Sequence, residues 1–143
     1  MNKGFTLFVA MVVMGTLLLV AIGMSTLAVK QGVISTSARE SQLAFYAADT
    51  GVECAIYWDV KNPSGFSAFS TSTGSTISCN GTDSFVGGSS VSVFEINLFP
   101  DPYCARVRVE KFNDGTTRIE SKGYNSCDSS NSRRVERAIK VSY

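Results

Sequence analysis

"KGFTLFVAMVVMGTLLLVAIG", residues 3–23, carries one charge, at Lys3, and none after it. The uncharged run continues to Val29, and Lys30 ends it. That is about 26 residues, or roughly 39 Å as α-helix, against ~30 Å of hydrocarbon in a bilayer. A secretory signal has an apolar region of only about 7–15 residues, followed by a small-residue cleavage site. Here the run is too long, and the small-x-small positions fall deep inside it. The segment therefore reads as a membrane span and not as a secretory signal. Lys3 in front and mostly polar sequence behind place the N-terminus in the cytoplasm and the remainder outside.

The next stretch, "KQGVISTSARESQLAFYAADTGVECAIYWD" (residues 30–59), contains no proline. Its apolar or small residues Ile34, Ala38, Ser41, Phe45, Ala48, Val52, Ala55 and Tyr57 fall close to helical spacing. Asn62-Pro63 ends the pattern, because the residue before proline resists helical angles. One helix is thus expected from Phe5 to about Trp58, apolar all round in its first half and one-faced in its second. Gly15, Gly23 and Gly32 each weaken it by about 1 kcal/mol relative to alanine.

"KGFTL" at positions 3–7 resembles the prepilin signal of type IV pilins and pseudopilins: a short basic leader, Gly, Phe, then the hydrophobic run. "RESQLAFYAADTGVECAIYW", residues 39–58, is similar to the region after the span in minor pilins of the X type. The resemblance covers about 55 N-terminal residues. It implies cleavage by a prepilin peptidase between Gly4 and Phe5, methylation of the Phe5 amine, and helix packing with other pilin subunits. It assigns Thr6 and Val9 to assembly. Most major pilins carry glutamate where this chain has Val9, which points to a minor subunit at the tip or in priming. Alternatives are a bulk pilin, a pseudopilin of a secretion system, or, from another class, a membrane-tethered binding module that never polymerises and keeps Met1. The expected course is a single-pass membrane protein first and an extracellular pilus afterwards.

The remaining chain supplies the head. Residues 61–90 are rich in Ser, Thr and Gly and read mostly as loop, with short strands near Thr76–Ser78 and Ser84–Val86. Four alternating stretches follow: Ser90–Phe99, Cys104–Phe112, Thr116–Tyr124 and Arg133–Tyr143. Asp114-Gly115 marks a hairpin. If Phe112 faces Thr116, Cys104 lies opposite about Tyr124, which brings Cys127 within reach. The expected disulfides are Cys104–Cys127 and, by elimination among three possible pairings, Cys54–Cys79. The even count, the wide spacing and the membrane-directing start place them outside the cytoplasm. The expected fold class is α+β: a long N-terminal helix packed on a four-stranded antiparallel sheet. The expected segments are a leader at 1–4, a span at 5–29, an amphipathic half-helix at 30–59 and a head at 60–143.

Other chemistry finds little footing. Among 143 residues there is no histidine, the commonest general base and metal ligand, and net charge is +1. No nucleophile–base constellation is evident, so neither an enzyme, a cofactor, a metal site nor a small-molecule substrate is expected. Nucleic acid is an unlikely partner for so balanced a chain. Arg133, Arg134 and Arg137 read as one solvated strand face, and Asp101, Asp114 and Asp128 as turn residues rather than a calcium loop. Phe66, Phe69, Phe85, Phe94 and Phe99 read as core or interface. Asn80-Gly81-Thr82 is a glycosylation sequon.

Overall fold

A computed structural model describes residues 3–143; Met1 and Asn2, half of the expected leader, lie outside the described residues. Helix α1 spans Lys3–Val60, 58 residues. Its last turn closes with the Lys61 amide on the Tyr57 carbonyl (2.8 Å), and the Asn62 side chain then caps the Ser64 amide (3.1 Å) ahead of the loop. The chain divides into two compact units, one ending at Ala38 and the other Arg39–Tyr143.

Within the second unit, β3 (Val91–Asn97), β4 (Cys104–Lys111), β5 (Thr117–Tyr124) and β6 (Glu136–Ser142) form one antiparallel sheet in that order. The protein is α+β, with the C-terminal part of α1 packed on this sheet. The sheet alternates as its sequence does. Phe94, Ile96, Ala105, Val107, Val109 and Ile119 turn inward, while Glu95, Arg106, Arg108 and Arg118 face solvent. Asp114 and Gly115 make the β4–β5 turn. The Gly115 φ of +89° suits only glycine without strain, and the Asp114 carboxylate accepts the Thr116 amide at 2.9 Å. The resulting register sets Cys104 opposite Tyr124.

Residues 61–90 hold strands at both places where short ones are expected, each longer than expected. Before β3, β1 (Gly74–Cys79) and β2 (Thr82–Gly87) pair as a separate two-stranded sheet. The two-residue connection Asn80-Gly81 has both φ angles positive, +49° and +74°, which suits the twist of a tight hairpin. Ile77 and Val86 anchor one face of the hairpin in the core. Phe69 stacks on Phe94 beside them, ring centres 5.9 Å apart. Of the five phenylalanines expected inside or at interfaces, Phe69 and Phe94 are buried, and Phe66, Phe85 and Phe99 are open to solvent.

The buried stripe of α1 keeps Ala48, Val52 and Ala55 of the expected one but not its larger members. Ala44, Ala47, Ala48, Gly51, Val52 and Ala55 are buried, whereas Ile34, Phe45 and Tyr57 are exposed. The reason is distance. A sheet approaching this closely admits only small side chains, so the large ones are turned away from it. A Cβ on Gly123 of β5 would collide with the backbone of Ala44 and Ala48, the Ala48 Cα standing 2.9 Å away. A Cβ on Gly51 would meet the Ser121 hydroxyl and Val107 Cγ2, the latter at 2.8 Å.

Ser121 is fully buried and its hydroxyl has no hydrogen-bond partner. An unpaired buried hydroxyl costs about 1–3 kcal/mol. Ser121→Ala is therefore expected to leave stability unchanged or to raise it by about 1 kcal/mol, read from urea unfolding of the detergent-solubilised chain. A loss above 1 kcal/mol would contradict this account.

Candidate functional site

The apolar part of α1 is the first element of interest. From Gly4 to Val29 every residue is exposed, among them Phe5, Leu7, Phe8, Val9, Val12 and Val13. The helix is long and apolar enough to cross a membrane. Its hydroxyls are turned inward on its own backbone: Thr16 donates to the Val13 carbonyl, Ser25 to Ala21 and Thr26 to Gly23, each at 2.9 Å. Such back-bonding lets a hydroxyl sit in hydrocarbon without an unmet donor. Gly4 is open, with nothing within 4 Å of where a Cβ would stand. Phe5, Val9, Val13 and Leu17 follow one another at four-residue steps down one side, and Thr6 lies beside them.

The far end of the helix is fastened by charge and by sulfur. The side chain of Asp59, 3% exposed, accepts from Lys111 Nζ at 2.6 Å, from the Tyr143 hydroxyl at 2.6 Å, and from the Ser67 hydroxyl. Lys111 also donates to Thr117 Oγ1 at 2.7 Å. Burial pushes the Asp59 carboxyl up, but the hydrogen bonds from Lys111, Ser67 and Tyr143 outweigh it and hold it below its ordinary range. Burial and the bond to Asp59 push the Tyr143 hydroxyl up, so it remains a donor. Nearby, Cys54 is bonded to Cys79, Cα atoms 6.1 Å apart, tying α1 to β1. Cys104 is bonded to Cys127, at 5.6 Å, tying β4 to the loop before β6. Trp58 Nε1 adds a bond to the Ser78 carbonyl at 3.1 Å.

The third element is the solvent face of the four-stranded sheet. Arg106 faces Glu95 across β3–β4 (3.6 Å), and Lys140 faces Glu120 across β5–β6 (3.6 Å). Lys122 reaches Glu136 at 3.2 Å, and Glu110 takes both Arg108 and Arg118. Along one cross-strand row the signs alternate: Arg108 on β4, Glu120 on β5, Lys140 on β6. Exposed pairs of this kind contribute little stability each, about 0–1 kcal/mol. Their effect is to make the face polar and nearly neutral.

The three arginines near the end of the chain do not share one strand face. Strand β6 begins at Glu136, so Arg133 and Arg134 lie in the loop before it. The buried Asn125 side chain holds that loop, donating to the Arg133 carbonyl (3.1 Å) and accepting the Val135 amide (2.6 Å). Arg134 stacks on Tyr124 at 3.8 Å, and Arg137 donates to Ser41 Oγ at 2.7 Å. Asp114 and Asp128 cap their own turns, and Asp101 lies in the β3–β4 turn. No group of three or more His, Cys, Asp or Glu is gathered among the described residues. In the sequon, the Asn80 side-chain amide donates to the Asn97 carbonyl at 2.9 Å. Compared with protein-family models, with curated proteins and with solved structures, the chain matches none.

Proposed function

We propose that the chain is a pilin-like structural subunit, of the minor kind that primes a filament or sits at its tip, and that it carries out no chemistry of its own. One observation carries this reading: a single helix is bare and apolar over residues 4–29 and, further along, is built into the core of a folded head. In lipid the bare part is at home. Among copies of itself it supplies van der Waals packing, with the hydroxyls of Thr16, Ser25 and Thr26 already bonded to its own backbone. The leader-like "KGFTL" supports processing between Gly4 and Phe5. Val9 supports a minor role, since an apolar side chain offers no carboxylate to neutralise the amine of a neighbour. The two disulfides suit an oxidising exterior.

Mass spectrometry of the native N-terminus tests the reading. The expected result is a chain beginning at Phe5 with one added methyl group. Gly4→Val is expected to abolish that processing while leaving the head folded, because position 4 touches nothing. A mature protein that retains Met1–Gly4, or normal maturation of the variant, would favour the tethered module instead.

A further inference from the structure

The sheet has two edges, and they are finished differently. Beyond β3 lies the β1–β2 hairpin, which reaches across with the Asn80 side chain on the Asn97 carbonyl and the Gly87 amide on Ser92 Oγ (2.9 Å). At the other side the strand order ends on β6. Thr117 and Tyr143 exchange both backbone bonds (2.8 and 3.1 Å), and the Asn125 amide bonds the Val135 carbonyl. Odd-numbered residues of β6 therefore bond to β5. The N–H and C=O groups of Glu136, Ala138, Lys140 and Ser142 point away from the sheet. All four residues are exposed.

We propose that β6 is a self-complementary edge, along which two copies of the chain join antiparallel with Ala138 opposite Ala138 of the second copy. Antiparallel pairing must match outward-pointing residues with one another, so only even positions can face even positions. Centred on Ala138, Glu136 faces the second copy's Lys140, and Lys140 faces its Glu136. The row Arg108, Glu120, Lys140 then gains a glutamate as its next member, so the alternation of sign continues across the seam. On the inner side Val135 meets Val141, both half-buried in the single chain. Neighbouring registers do worse. Centring on Lys140 or Glu136 sets like charges face to face, a shift toward Arg134 puts it against Lys140, and a shift toward Ile139 leaves both charges unmatched.

The symmetry of such a pair decides what it joins. Its two-fold axis stands perpendicular to the sheet, and α1 from Arg39 onward lies on the sheet. The axis therefore reverses the second copy's helix on the same face of the joined eight-stranded sheet, so the two helices run in opposite directions. This geometry suits chains that enter the pair from opposite directions, as chains of two membranes would, and not chains that enter it in parallel. The partner is a second copy of this chain met head to head. The inference does not depend on polymerisation.

The full chain in phosphatidylcholine vesicles, heads outward, tests it by light scattering. Wild-type vesicles are expected to cluster. Glu136→Lys vesicles alone and Lys140→Glu vesicles alone are each expected to lose clustering by about tenfold or more, since like charges then oppose. Mixing the two variant populations is expected to restore it, because each then meets an opposite charge. Both positions are on the surface, so the variants keep the fold, and restoration on mixing excludes misfolding as the cause of the loss. Absence of wild-type clustering, indifference to the single reversals, or failure of the mixture to recover would overturn the proposal and leave β6 as an edge that its charges merely protect.

Discussion

Gly123→Ala is expected to destabilise the head by about 3 kcal/mol or more, lowering its melting temperature by roughly 10 °C or more. The added methyl group would collide with the Ala44 carbonyl oxygen and the Ala48 amide, which belong to helix backbone and cannot swing aside. The helix must lift from β5, and the core beneath Ala44, Ala47 and Ala48 opens with it. Gly51→Ala is the matched comparison. It would press mainly on side chains, the Ser121 hydroxyl and Val107, and it gains about 1 kcal/mol of helix propensity. Its expected cost is accordingly smaller, and Ser121→Ala in the same chain should reduce it further. Circular dichroism melts of the full chain in detergent would read all of these. An unchanged melting temperature for Gly123→Ala would mean that helix and sheet do not approach as described.

The second large effect is expected at Asp59. Asp59→Ala leaves the Lys111 ammonium, itself largely sheltered, without its carboxylate, and strips Tyr143 and Ser67 of their acceptor. Breaking a buried pair from one side costs about 3–5 kcal/mol, and the lower figure is appropriate because Lys111 keeps some contact with water. The same cluster sets a response to acid. The carboxyl of Asp59 is held below its ordinary range in the folded protein, so its contribution is fully present above the ordinary value near 3.8. It is lost as pH falls through the lowered one. Stability measured by urea at stepped pH should therefore decline below about pH 4 in the wild type. In Asp59→Asn that decline should be shallower from a lower starting point. An identical acid slope in both proteins would remove Asp59 from the account.

What the sequence made legible, and what it hid, follows from the range of the interactions. The long uncharged run, the strand alternation and the Asp114-Gly115 turn are local patterns, and the helix and four-stranded sheet follow from them directly. The strands of the hairpin β1–β2 are legible locally too, but Ser and Thr outnumber its inward residues Ile77, Cys79 and Val86 and hide how far each strand extends. Helical spacing groups Phe45 and Tyr57 with Ala48, Val52 and Ala55, because spacing carries no measure of how near the sheet comes. Closeness to Gly123 leaves room only for the smaller ones. Lys111 and Tyr143 stand 52 and 84 positions from Asp59 along the chain, and no spacing rule joins them. Likewise the outward parity of β6 depends on a register that only the fold supplies.

The fastening at the end of α1 has a mechanical corollary. Tension entering the head at Arg39 must pass along the helix before it reaches Cys54–Cys79 and the Asp59 clamp, both in the last two turns. The interlocked alanines and glycines between Ala44 and Ala55 bear that force as shear, many contacts at once, instead of being peeled one by one. The load is thus spread along the seam before it comes onto the farthest bolt.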